Sequence, residues 1–366
     1  MSSDSKTGIS YPFADVPEKG QWLEVAKGVY WLQMLLPMAL DHINLYVLED
    51  DAGWWIIDTG INLGDTRERW ELLLAGPMAG KPVVGVICTH MHPDHIGQAG
   101  WLCEHLRVPL YMSFREYYAA RTFTSIGGGS LSWTTEEYYR RAGVERDYLQ
   151  QMATRFKGFG SVVEPLPTAY RCLAEGQVLN VGGRAWRVMT GAGHSPEHVS
   201  LYCAEDKLML SGDQIIPRIT SNVSVMPLEP EANPLAEWFD ALRRFRADLD
   251  PDTLVMPAHN APFYGVHARL DYLIAHHEGH LEAIEKACIE PKKAIELFSI
   301  MFAREVAMDQ LSLALGEAIA HLHYLCAEGR MQRELDDEGV YRFRSVDPQS
   351  SPYRGVYEPD TGPMEV

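Results

Sequence analysis

Residues Thr89 to Gly97, T-H-M-H-P-D-H-I-G, follow directly on the apolar run Val83-Val84-Gly85-Val86-Ile87-Cys88. A short run of that kind is the pattern of a buried strand, so the histidines belong to the loop where the strand ends. His90, His92, Asp94 and His95 fall within six positions. Three imidazoles and a carboxylate so crowded are costly to desolvate unless a cation binds them. Nitrogen and oxygen donors at this spacing suit zinc, with iron or manganese as alternatives. His90 and His92 would face one ion, while Asp94 and His95 turn toward a second. One stretch fills only part of two coordination shells, so the remaining ligands must lie elsewhere in the chain.

The rest of the sequence reads first as a meander of strands and then as strands alternating with helices. Residues 1–20 are expected to be a polar arm. Strand patterns cover Trp22 to Leu35, Ile43 to Leu48, Gly53 to Gly60 and Val108 to Tyr111, and helical periodicity covers Gly64 to Ala75 and Ile96 to Leu106. Later strands are expected at Ala185 to Thr190, Val199 to Cys203, Lys207 to Leu210 and Thr253 to Met256, with a helix at Pro234 to Arg246. This order predicts an α/β or α+β layering. His194, Asp213 and His259 each come just past a strand-like run, beside glycine or proline, where loops present side chains at a sheet edge. His90, His92 and His194 would then hold one ion and Asp94, His95 and His259 the other. Asp213 would bridge two ions about 3.5 Å apart.

The order H-x-H-x-D-H, then a separate His, Asp and His, resembles the metallo-β-lactamase-fold hydrolases, over roughly residues 22–266. The resemblance implies an α+β, αβ/βα sandwich with the metals at one edge. Asp58-Thr59-Gly60 matches the family's first motif, in which the aspartate supports the site without ligating, and His198 resembles a position used structurally. The bridging Asp213 points to the glyoxalase II and lactamase-beta-2-like branch. In that setting two zinc ions generate hydroxide near neutral pH, Asp94 and Asp213 orient it, and it attacks a polarised carbonyl. A dinuclear hydrolase of a thioester or lactone is the expected function. The alternatives are an endoribonuclease or phosphodiesterase of the lactamase-beta-2-like type, and a mononuclear-iron persulfide dioxygenase.

Charge bears on the substrate. The chain has 32 basic and 50 acidic residues, a formal net charge of −18. That disfavours nucleic acid and anionic membrane as partners. Residues 112–160 invert the balance, with seven basic and five acidic residues among many aromatics. Helical periodicity is expected from Thr135 to Phe156. This insert reads either as a solvated helical segment or as a cap gripping a small anionic, partly aromatic substrate, with Tyr138, Arg140 and Arg141 as candidate contacts in the second case. Arg218 and His42 are further candidates, as a carboxylate anchor and at the site entrance.

The expected domains are residues 1–266, catalytic, and 267–366, helical and winged-helix-like. The latter is predicted to carry helices at Ala268 to Cys288, Lys292 to Phe302 and Gln310 to Glu328, followed by a hairpin. From residue 268 onward ten basic residues face eighteen acidic ones, so packing against the core, shaping the substrate mouth or forming a homodimer are its expected uses. His276 and His280 share a helix face, but lacking an accompanying carboxylate motif they read as structural, as do His321 and His323. The six cysteines form no C-x-x-C pair, the first ten residues lack a signal-peptide pattern, and no apolar run reaches the roughly 20 residues of a membrane span. A cytoplasmic setting is expected.

Overall fold

The computed structural model describes residues 2–4, 8–37, 40–155, 158–353, 355 and 357. The chain divides into two compact units. The first comprises Met1–Gly127, Gly158–Ser221 and Phe245–Arg269, and the second Gly128–Lys157, Asn222–Arg244 and Leu270–Val366.

The first unit opens with a two-stranded ribbon, β1 (Ser2–Asp4) and β2 (Ile9–Tyr11), within the expected arm. Seven strands then form one sheet in sequence order: β3 (Leu23–Ala26), β4 (Val29–Leu35), β5 (His42–Asp50), β6 (Gly53–Ile57), β7 (Val83–Ile87), β8 (Leu110–Ser113) and β9 (Tyr170–Leu173). The β3–β6 meander is antiparallel, and β6 to β9 pair in parallel. Parallel neighbours need crossovers. These carry α1 (Thr66–Ala75), α2 (Pro93–Ile96), α3 (Ala99–Leu106) and α4 (Phe114–Ser125).

A second sheet holds β10 (Val178–Val181), β11 (Arg184–Gly191), β12 (His198–Cys203), β13 (Leu208–Gly212) and β14 (Leu254–Pro257). Its last pair, β13 and β14, is parallel. Alternate residues of the strands supply one shared core: Val29 and Trp31 of β4, Tyr46 and Leu48 of β5, Val188 of β11, Val199 and Leu201 of β12, Leu208 and Leu210 of β13. Such period-two burial is what packs one sheet face against another. The sandwich expected from the sequence is therefore present.

The second unit contains α5 (Trp133–Arg141), α6 (Arg146–Arg155), α9 (Phe298–Met301), α10 (Leu311–Ala327) and the hairpin β15 (Met331–Leu335) with β16 (Tyr341–Ser345). Helices α7 (Pro234–Asp248) and α8 (Val266–Ala287) divide between the two units. The single helix expected from Thr135 is two, because Gly143 takes φ 96° and turns the chain after α5. Phe156 and Lys157 lie outside the described residues. The segment 128–157 is tied within its unit by the Tyr138 hydroxyl donating to the Val225 carbonyl (2.7 Å) and by Ile295 N–H donating to the Ala142 carbonyl (3.3 Å). Among the described residues no helix is long and apolar enough to cross a membrane.

Candidate metal centre

Four strand ends build the site. His90, His92, Asp94 and His95 follow β7, His194 follows β11, Asp213 follows β13 and His259 follows β14. The pairing of β13 with β14 shifts register between Leu210 and Gly212, and Gly212 adopts φ 52°. A Cβ there would come within 2.5 Å of His198 Nε2. The irregularity thus turns Asp213 out of the ladder and needs glycine to do so.

All seven side chains are buried, none more than 5% exposed. Their ligand atoms fall into two sets, each within 4.8 Å: His90, His92, His194 and Asp213, and Asp94, His95 and His259. In the first, His90 Nε2 lies 2.9 Å from His92 Nδ1 and 3.3 Å from His194 Nε2. In the second, Asp94 Oδ2 lies 3.6 Å from His95 Nε2 and 3.4 Å from His259 Nε2. The Asp213 carboxylate reaches both. Its Oδ2 is 3.4 Å from His194 Nε2 and 3.4 Å from His95 Nε2, and its Oδ1 is 3.6 Å from His259 Nε2.

Residues behind the candidate ligands hold their outer nitrogens. His95 Nδ1 is 2.8 Å from Asp58 Oδ2, and Asp58 Oδ1 accepts the Thr89 N–H at 2.7 Å. Asp58 sits at φ 61°, a left-handed conformation that aspartate tolerates better than most residues. It supports His95 and belongs to neither ligand set. Thr89 Oγ1 lies 3.0 Å from His90 Nδ1, and His259 Nδ1 lies 3.2 Å from the His42 carbonyl oxygen. His198 Nε2 accepts the Asp213 N–H at 3.0 Å. Burial lowers the His198 pKa to about 3, so the ring stays neutral and keeps that lone pair. Across the core, Asn44 Nδ2 donates to the Pro257 carbonyl at 3.0 Å, while its Oδ1 accepts from Trp31 Nε1 at 2.8 Å. This holds β5 to the strand end that presents His259.

The donor set fits cations. Asp94 Oδ2, Asp213 Oδ1, His95 Nε2 and His259 Nε2 are buried with no hydrogen-bond partner, although they converge on one another. Buried polar atoms are rarely left so, and positive ions would satisfy all four. Electrostatics agree. Burial and then neighbouring imidazoles hold His90 and His92 well below the ordinary histidine pKa. Burial also opposes charge on His95, but Asp213, Asp94 and Asp58 raise it well above that value. Burial opposes ionisation of Asp213 too, yet His95 and His259 keep its pKa well below the carboxylate range.

Residues 39–259 match the metallo-beta-lactamase superfamily, and residues 281–346 match the metallo-beta-lactamase-like C-terminal domain. The chain belongs to the metallo-beta-lactamase superfamily. Its structure is similar to that of a beta-lactamase domain protein from Burkholderia ambifaria, at 41% identity and TM-score 0.85 over 94% of this chain and 99% of that one. It is 24% identical to an acyl-coenzyme A thioesterase of Gallus gallus, over 52% of this chain and 64% of the relative. It is 26% identical to a hydroxyacylglutathione hydrolase of Acidiphilium cryptum, over 43% of this chain and 63% of the relative. This superfamily hydrolase thus carries histidine and aspartate groups consistent with a dinuclear centre.

The other sequence candidates lie in varied settings. The His42 imidazole pairs with Asp41, and it is the His42 carbonyl that touches the site. Arg218 is exposed, with its guanidinium carbon 5.3 Å from the Tyr11 ring centre. Arg140 bonds Glu137 and the carbonyls of Glu338 and Gly339, and Arg141 bonds Glu137 and the Tyr341 hydroxyl. The sequence reading did not single out Asn44 or Glu116. Glu116 is fully buried beneath both histidine loops, and burial raises its pKa to about 7 against three hydrogen bonds that oppose the rise.

Proposed function

We propose that the chain is a dinuclear metal-dependent hydrolase of a small carbonyl ester-type substrate, a thioester or a lactone, with zinc in both positions. The reading rests chiefly on Asp213, whose carboxylate faces one ligand set with Oδ2 and reaches the other with both oxygens. A carboxylate that reaches both sets suits two ions that share it. Two divalent cations, when bound, would acidify a shared water and polarise a carbonyl oxygen. The protein's own part is to hold seven donors in place, exclude bulk water from them and orient the reacting water through Asp94 and Asp213. Similarity to the acyl-coenzyme A thioesterase favours the thioester over the lactone. Exposed Arg218 is the proposed anchor for an anionic substrate. Six free cysteines suit a cytoplasmic setting.

The test is a hydrolysis panel of thioesters, lactones, β-lactams and phosphodiesters, run on protein whose metal content is measured. About two ions per chain and thioester or lactone turnover are expected. Phosphodiester cleavage alone would replace this reading with the nuclease. One iron per chain with oxygen uptake on a persulfide would replace it with the dioxygenase.

A further inference from the structure

Glu116 lies in the first turn of α4 and makes no contact with solvent. A carboxylate removed from water is costly unless donors surround it. Here they do: Oε2 accepts the Met91 N–H at 2.8 Å, while Oε1 accepts the Ser195 hydroxyl at 2.6 Å and the Glu197 N–H at 2.7 Å. Met91 stands between His90 and His92, and Ser195 directly follows His194. One side chain therefore binds together the two loops that supply all three imidazoles of one ligand set. The link is reciprocal. Glu197 Oε2 accepts the Arg115 N–H at 3.0 Å, and the Ser113 hydroxyl donates to the Glu197 carbonyl at 2.7 Å. Ser113 precedes α4, yet its hydroxyl makes no cap to that helix. The helix start is stitched to the His194 loop instead. None of these bonds touches Asp94, His95 or His259. His95 is oriented by Asp58 and His259 by the His42 carbonyl.

We propose that Glu116 is a positioning residue for one half of the centre: by setting the separation of the His90–His92 loop from His194, it governs affinity for the ion those three histidines share with Asp213. The inference rests on the two-ion reading above. It implies that the ion held by His90, His92 and His194 can be tuned through Glu116 without touching the other set, whereas Asp58 holds His95 directly and reaches His90 through Thr89.

The experiment measures zinc affinity by competition with a chromophoric chelator in two single-site backgrounds. Asp94→Ala leaves the Glu116-linked set intact, and His92→Ala leaves the Asp58-linked set. Adding Glu116→Ala to the first should raise the zinc dissociation constant about 10- to 100-fold, the usual cost of losing a group that orients ligands. Adding it to the second should change the constant less than about threefold on the same scale. Glu116→Gln keeps one acceptor oxygen but turns an amide N–H toward a donor, so it should fall between. If Glu116→Ala does not fold, Ser195→Ala removes one donor and leaves the carboxylate in place, and it should weaken the same ion to a smaller degree. Equal weakening of both ions, or no weakening in the first background, would overturn the proposal. A wild-type chain that never takes up two ions would instead overturn the two-ion reading itself.

Discussion

His90, His92, His95, His194 and His259 in the first unit and His276, His277, His280 and His321 in the second are all no more than 5% exposed. The two groups keep different company. In the first, outer nitrogens are held by Asp58, by Thr89 and by the His42 carbonyl, and inner nitrogens face Asp94 and Asp213. In the second, imidazole meets imidazole: His277 Nδ1 lies 3.2 Å from His321 Nε2, and His276 and His280 pack with ring centres 4.4 Å apart. Only the first group brings three or more ligand atoms together among the described residues. Charge follows company. Carboxylates overcome burial and raise the pKa of His95 and His259, whereas burial and then neighbouring histidines push His277 well below its ordinary value. His95 and His259 each have an outer nitrogen held by an oxygen and an inner one beside a carboxylate, which suits a buried histidine to hold a cation.

Removing a carboxylate from the first group should break the contrast most severely. Asp94→Ala takes one of three donors from its set, so metal content should fall from about two ions per chain to about one. Turnover should drop by more than the roughly 100-fold that outer partners can cost. Mass-spectrometric metal analysis beside steady-state kinetics reads both, and full activity with one ion would move the chemistry away from the pair. Asp58→Asn keeps every candidate ligand but alters the direct partner of His95, and reaches His90 only through Thr89, so about a 10- to 100-fold loss of affinity is expected, larger for the ion that His95 would hold. Acid should act in the same direction. His95 and His259 must lose protons to ligate, and their raised pKa values mean that a cation competes with protons up to higher pH. Chelator competition from pH 8 down to pH 6 should show affinity falling, and an affinity independent of pH would contradict the charge state assigned to His95.

The first histidine group was legible because its chemistry is local. Four candidate ligands fall in six residues after an obvious strand, and the other three each follow a strand end. What stands behind them was not. Asn44 reads as one polar residue in a strand; its bond to Trp31 joins neighbouring strands, but its bond to Pro257 depends on two sheets facing each other. Glu116 is an acidic residue in a first helical turn, a place where acids are ordinary. Nothing local separates it from Glu136, which occupies the same place in α5. Strands β9 and β10 escaped notice for a related reason. Each is four residues long and lies at a sheet edge, with exposed Arg171, Cys172 and Asn180 erasing the apolar pattern. The grouping of residues 128–157 with the C-terminal segments depends on contacts about a hundred or more residues apart, such as Arg140 with Glu338. No window of sequence contains that.

The second histidine group can be tested without metal. His277 is held well below its ordinary pKa, so it contributes stability that is present above about pH 6.5, the unfolded value, and is lost as pH falls toward its folded one. His277→Phe removes that proton uptake. Urea midpoints measured from pH 7 down to pH 5 should decline less steeply in the variant, with metal content unchanged. An equal decline in both proteins would remove His277 as the source of acid sensitivity, and lost metal would erase the distinction between the groups.

The smallest expected effect concerns the basic insert. Arg140 and Arg141 both bind Glu137, at 2.8 and 2.7 Å, and both reach the β15–β16 hairpin region. They are more than a third exposed, and ion pairs so placed are worth roughly 0.2–1 kcal/mol each. Two roles compete for these guanidinium groups. A structural role predicts that Arg140→Gln and Arg141→Gln each cost less than about 1 kcal/mol of stability and leave KM alone for every substrate. A role in gripping substrate predicts a KM rise for anionic substrates and none for neutral ones. Because hydrogen bonds within the second unit already engage both side chains, the structural outcome is expected. A rise in KM confined to anions would show that substrate competes successfully with Glu137, and would return the insert to the substrate-binding surface.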